Sequence, residues 1–282
     1  MMHRVFDAHV DTLMRAEGPA EFLNGSIKAH LDIPRAEKAG VTHLVTAICA
    51  ESAKKPLRAF HSGYSMYMET HSLSPVTMYL MLEGCQPLLE LDRPEEVIRS
   101  LSVASLTWNG PNSLGGGIGC DTGLSATGRR MARQLHEAGV VLDVSHLCDR
   151  SRRELLSMGY RVVATHCNCR AVHDSSRNLP DDDLKEIAGS GGVTGITFVP
   201  SFLGGSRSME DIFRHLEYLV ELVGIESAGF GSDFDGIIHL PEGVSDCGVW
   251  PEIFEMLDRR GWSSEDIGSV AGDNWRRVIS NS

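Results

Sequence analysis

The sequence predicts an α/β fold, a closed (β/α)8 TIM barrel formed by a single domain over residues 1–282. Three observations carry that expectation. Eight short, largely apolar runs alternate with amphipathic stretches, many of them ended by glycine. This is the pattern of parallel strands buried on both faces and joined by helices. The length of 282 residues suits one large barrel or two smaller domains, and no low-complexity linker divides the chain. No glycine-rich phosphate loop follows the first run, which argues against an open doubly wound sheet.

The expected strands, in order, are Val5–Ala8, Thr42–Cys49, Val76–Leu82, Val103–Leu106, Val140–Val144, Val162–Thr165, Val193–Phe198 and Ala228–Gly231. Of the helices between them, Ser208 to Val223 is the clearest. Met209, Ile212, Phe213, Leu216, Leu219, Val220 and Val223 recur at three- and four-residue steps and make one apolar stripe. Asp149 is placed to cap a helix running to Met158. Pro180 opens another, with Asp181, Asp182 and Asp183 in the first turn, where carboxylates favour the positive end of the helix dipole.

The formal net charge of −12, from 26 Lys and Arg against 38 Asp and Glu, opposes binding to nucleic acid or to an anionic membrane surface. The basic clusters Arg129-Arg130-Met131-Ala132-Arg133 and Arg150-Ser151-Arg152-Arg153 fall on expected helices and read as solvated helix faces. There are seven cysteines, and Met1 to Asp11 does not read as a secretory signal. No apolar run approaches the ~18 residues of a membrane span. A cytoplasmic protein with free thiols is the expectation. Cys167 and Cys169 lack the two-residue spacing of redox and metal pairs and read as incidental.

The functional signal is positional. The first expected strand runs into His9-Val10-Asp11, the third into Glu83, the fifth into His146, the sixth into His166 and the eighth into Asp233. All five lie at C-terminal strand ends, the face on which such barrels build their sites. Each alone has an ordinary explanation, such as a hydrogen-bonded core histidine, a solvated loop glutamate or a turn aspartate. Five such coincidences at one face are a weaker explanation than one shared site. In an extended strand His9 and Asp11 point the same way, and histidine with carboxylate is a suitable ligand set for zinc. Glu83 has two oxygens with which to bridge two metals, and Asp233 is a candidate general base.

Beside that reading, the chain resembles the membrane (renal) dipeptidase family of the amidohydrolase superfamily. The resemblance rests on Asp7-Ala8-His9-Val10-Asp11, His30-Leu31-Asp32-Ile33-Pro34-Arg35, Leu82-Glu83-Gly84, Leu106-Thr107-Trp108-Asn109, Leu142-Asp143-Val144-Ser145-His146, Ala164-Thr165-His166, Ser176 to Asp182, Gly231 to Gly236 and Gly272-Asp273-Asn274-Trp275, in the family's order. It implies that His9 and Asp11 hold one zinc, that His146 and His166 hold a second, and that Glu83 bridges the pair. It implies further that Arg177 binds the carboxylate of a dipeptide-like substrate and that Asp233 holds or shuttles a proton near a metal-bridging hydroxide. It also implies a homodimer. Cobalt or manganese would suit the same ligands.

Two departures stand out. Where some members carry a histidine after the Leu-Thr of the fourth strand, this chain has Trp108, and Asn109 is the candidate substitute donor to substrate. The segment between Cys49 and Met78 is shorter than the family usually has, which opens the expected pocket. The expected activity is therefore hydrolysis of small dipeptides, including those with a D-residue at the C-terminal side. The same ligands serve a hydrolase of another small amide or ester, such as an N-acyl amino acid or a lactone. Trp108 is the best support for a third reading, a non-catalytic peptide-binding relative.

Overall fold

The computed structural model describes residues 3–280. Six strands form one parallel sheet in chain order: β1 (Val5–Val10), β2 (Val41–Ile48), β3 (Thr77–Glu83), β4 (Leu101–Ser105), β5 (Val141–Asp143) and β6 (Val162–Val163). A second parallel pair follows, β7 (Thr194–Ile196) and β8 (Ala228–Phe230). The two sheets touch at both margins through single bridges, Ala164 with Thr194 and Val10 with Phe234. Backbone hydrogen bonds flank both contacts, from Gly195 N to Ala164 O at 2.8 Å and from Asp11 N to Phe234 O at 2.9 Å. The sheet therefore curls until its first strand meets the segment after the eighth.

The last four strands are two or three residues long, shorter than their apolar runs imply. Close approach of backbones accounts for part of this. A Cβ on Gly231 would lie 1.8 Å from Thr165 O, so the chain leaving β8 passes the end of β6 with no room for a side chain.

Alternation along the strands separates two apolar clusters. Phe6, Ala8, Val45, Ala47, Met81, Val103, Val141, Val163 and Val193 pack together, closed by Trp275, Val278 and Ile279. The larger cluster lies between strands and helices. The helix Met209–Val223 belongs to it. Its start is fixed by a reciprocal cap between Ser208 and Asp211, and it stops at Gly224 with φ 88°. Ile212, Phe213, Leu216 and Leu219 are fully buried along its apolar stripe.

Two expected details are corrected. The helix Asp149–Leu156 is preceded by Cys148, and Asp149 makes no cap. Its carboxylate instead accepts from Arg152 at 2.7 Å and from Arg170 at 2.9 and 3.0 Å, ion pairs that outcompete a backbone contact. The basic run there is not a uniformly solvated face, because Arg152 is 1% exposed and its Nε sits 2.5 Å from Asp183 Oδ2. That buried pair ties the helix after β5 to the helix Asp181–Gly189. Among the described residues, no helix is long and apolar enough to cross a membrane. All seven cysteines are free.

Candidate metal centre

The five expected ligands meet at the C-terminal ends of the strands, around one carboxylate. Glu83, the last residue of β3, points Oε1 at three imidazoles. It is 3.0 Å from His146 Nε2, 3.4 Å from His166 Nε2 and 3.7 Å from His9 Nε2. His9 Nε2 also lies 3.5 Å from Asp11 Oδ2 and 3.9 Å from Asp233 Oδ1. The donor atoms fall into two overlapping groups, His9 with Glu83 and His166, and His9 with Asp11 and Asp233.

Local backbone departures aim these side chains. Phe6 and Ala8 face the interior cluster, so strict alternation would send His9 to the other face. The register between β1 and β2 slips between Asp7 and Val10, which pair with Leu44 and Thr46. One extra residue on β1 is a bulge, and a bulge re-aims the side chains beyond it. Asp11 lies past the strand end, before the short helix Thr12–Arg15. The pair converges through a bulge and a turn rather than through a regular strand, as the sequence alone implied. His146 and Asp233 both sit in the left-handed backbone region, with φ of 67° and 65°. Non-glycine residues there carry strain that persists only where the surroundings impose it, and such strain gathers at functional sites.

The tautomers follow from the hydrogen bonds. Thr165 donates its hydroxyl proton to Asp143 Oδ2 at 2.7 Å. Its oxygen is then left to accept from His166 Nδ1 at 2.9 Å and His9 Nδ1 at 3.3 Å. Asn109 Oδ1 lies 2.9 Å from His146 Nδ1 and accepts there. His146 and His166 therefore carry the proton on Nδ1, and all three rings turn Nε2 inward. His146 Nε2 and His166 Nε2 face each other at 2.9 Å, with Glu83 Oε1 beside both.

Lone pairs pressed together in this way repel unless a cation lies among them. Among the described residues, the buried His9 Nε2, Asp11 Oδ1 and Glu83 Oε1 have no hydrogen-bond partner. Buried polar atoms are almost always paired, so three orphans in one cluster fit a cation held among them. The donor set of imidazole nitrogens and carboxylate oxygens fits a divalent transition metal.

The electrostatics agree. Burial pushes His9 down, but Glu83, Asp11 and Asp233 outweigh it and raise its pKa to about 10. An excess of negative charge is thus held in place for a cation. Burial raises Glu83, yet His146 and His9 prevail and hold it well below the usual carboxylate range. Burial, helped by Arg177, lowers His146, and burial, helped by His9, lowers His166, so both stay neutral, the form that ligates metal. Burial and the adjacent Asp11 raise Asp233 well above the ordinary carboxylate range.

The remaining expected residues line the same cleft, of about 880 Å³. Arg177 is 7% exposed, stands 5.2 Å over the Phe202 ring and places Nη2 2.9 Å from His146 Nε2. Among the described residues it forms no ion pair with a carboxylate. Trp108 is half-buried, its ring 6.1 Å from that of His146. Asn109, expected to face substrate, lines the cleft and places its amide oxygen on His146.

Sequence reasoning missed the layer beneath. Asp143, fully buried, accepts from Ser145 N, Ser145 Oγ, Thr165 N and Thr165 Oγ1. Asp7, also fully buried, accepts from Ser232 N at 2.8 Å and from the Ser232 hydroxyl at 2.5 Å. Burial raises its pKa to about 6 against the pull of those bonds. The signal was present: each is an acid inside an apolar strand, two or three residues before a histidine of the cluster.

The family model described as membrane dipeptidase (peptidase family M19) matches residues 76–282. The chain belongs to that family. A dipeptidase of Aspergillus oryzae is 31% identical over 162 residues, which is 56% of this chain and 38% of that protein. An uncharacterized dipeptidase of Schizosaccharomyces pombe is 30% identical over 161 residues, 55% of this chain and 39% of that protein. The matched part thus spans less than half the length of these two relatives. The crystal structure of a metallopeptidase from Rhodobacter sphaeroides, liganded with a phosphinate mimic of the dipeptide L-Ala-D-Ala, superposes with a TM-score of 0.88 at 24% identity, covering 99% of each chain. The dipeptidase AC, described as a metallopeptidase of family M19, superposes at 0.87 and 26% identity, covering 100% of this chain and 99% of its own.

Proposed function

We propose that the protein is a binuclear zinc dipeptidase, built as one closed eight-stranded barrel domain, that hydrolyses the amide bond of small dipeptides. The observation that carries this reading is the cluster of inward-facing Nε2 atoms around Glu83 Oε1, with three buried donor atoms left unpaired. His9 and Asp11 would hold one zinc, His146 and His166 the other, and Glu83 would bridge them. When bound, two such cations acidify a shared water toward neutral pH and polarise an amide carbonyl.

The chain supplies the rest. Arg177 is a nearly buried cation with no acidic partner among the described residues, and a planar guanidinium suits the terminal carboxylate of a dipeptide. Asp233 holds a proton more readily than an ordinary aspartate. In this reading it takes a proton from the attacking water and returns one to the leaving nitrogen. Trp108 and Phe202 wall the cleft and limit access of water to the reacting carbonyl. The phosphinate mimic of L-Ala-D-Ala in the Rhodobacter sphaeroides relative supports a dipeptide substrate and acceptance of a D-residue at the C-terminal side.

Purified protein loaded with zinc is tested on L,L- and L,D-dipeptides and on their C-terminal amides. Metal-dependent cleavage is expected for the free acids, with the amides slower by at least about tenfold, since the charged contact to Arg177 is lost. Absence of metal-dependent cleavage of every dipeptide would overturn the proposal.

A further inference from the structure

Glu51 stands on the turn Ala50–Ser52 just after β2, and no motif marks it. Its carboxylate gathers donors from two neighbouring loops. Oε1 accepts from the backbone N–H of Gln86 at 3.1 Å and from the Asn112 side-chain amide at 2.8 Å. Oε2 accepts from the backbone N–H of Trp108 at 3.1 Å. The loops after β3 and β4 are thus tied to the end of β2 by one side chain. Among the described residues no lysine, arginine or histidine forms an ion pair with Glu51, so N–H donors alone hold it.

The fit is close. A Cβ on Gly84 would lie 2.4 Å from the Glu51 carboxyl carbon, and Gly84 has φ +84°. Only glycine lets the chain leaving Glu83 turn against that carboxylate. Asn112 extends the hold, donating also to Leu106 O at 2.9 Å and accepting from the backbones of Leu114 and Gly115.

What the strap holds is next to the site. Trp108, bound through its backbone, is followed by Asn109, whose amide oxygen receives His146 Nδ1. We propose that Glu51 is a positioning residue: by fixing the Trp108 backbone it keeps Asn109 on His146 and keeps His146 Nε2 facing Glu83. The inference rests on reading the cluster as a metal centre, and its test does not depend on dipeptide turnover.

Glu51→Gln preserves shape but leaves one acceptor oxygen. The orientation that keeps both Oε1 bonds turns an NH2 group onto the Trp108 N–H, donor against donor. In the metal-free protein the Trp108 amide should then exchange at least about tenfold faster. The His146 nitrogen resonances should shift from one tautomer to a mixture, and zinc affinity should fall about tenfold, the scale of an outer-shell partner. A folded Glu51→Gln protein with wild-type His146 resonances and wild-type zinc affinity would overturn the proposal, even if its melting temperature fell, because a merely structural strap would do only that. If Glu51→Gln does not fold, Glu51→Asp keeps the charge but is one methylene too short to span both loops, and the same readouts apply. Failure of the wild-type enzyme to cleave any dipeptide would count against the proposed activity alone.

Discussion

The hydroxyl of Thr165 is the smallest group on which the candidate centre depends. Replacing Thr165 with Val keeps the shape of the side chain and removes that oxygen. Three contacts vanish together: the bond to Asp143 Oδ2 at 2.7 Å, the acceptor for His166 Nδ1 at 2.9 Å and the longer one for His9 Nδ1 at 3.3 Å. Asp143 Oδ1 keeps its donors from Ser145 N, Ser145 Oγ and Thr165 N, so the carboxylate stays partly satisfied. One lost bond to a buried carboxylate and two stranded imidazole N–H groups, one of them on the longer contact, cost about 4 kcal/mol of stability in total. Nothing then selects the Nδ1–H tautomer of His166, and zinc affinity should fall by about 10- to 100-fold. Competition with a chromophoric chelator reads the affinity, and urea unfolding of the metal-free protein reads the stability. A folded Thr165→Val protein that binds zinc as tightly as wild type would refute the tautomer argument.

Two further outcomes are expected. Asn tolerates the left-handed backbone that Asp233 adopts, so Asp233→Asn should fold and keep its metal while kcat drops by about 10²- to 10⁴-fold for want of a proton carrier; turnover within threefold or so of wild type would contradict that role. His215, fully buried, is held by burial at a pKa of about 4, below its ordinary 6.5. Between those values the unfolded chain binds a proton that the folded chain refuses. The contribution of His215 is therefore complete above pH 6.5, declines as pH falls and is gone near pH 4, an effect of roughly 3 kcal/mol. Urea unfolding of metal-free wild type and His215→Asn at pH 7.5 and 4.5 measures it, and an equal pH dependence in both proteins would show that His215 carries none of it.

The sequence announced the site more clearly than the sheet. The convergence of His9, Asp11, Glu83, His146 and His166 was legible because polar residues at the ends of apolar runs are costly to bury singly, and the structure gathers them at one point. The bulge that aims His9 was not legible, since alternation alone places His9 and Asp11 together for a different reason. Strands β5 to β8 were overdrawn because apolar runs continue past the last ladder pairing, in part where backbones crowd together, as at Gly231 against Thr165 O. Arg152 read as solvated because its partner Asp183 lies on another helix, and pairing across elements leaves no local pattern. Glu51 had no signal at all: its partners are backbone N–H groups and an amide, which any sequence offers.

The central claim is that these five side chains surround a pair of divalent cations. Anomalous diffraction at the zinc edge from crystals of the zinc-loaded protein tests it most directly. Two peaks are expected, one against His9 and Asp11, one against His146 and His166, with Glu83 between. Peaks located elsewhere, with none inside that ring of side chains in fully loaded protein, would contradict it.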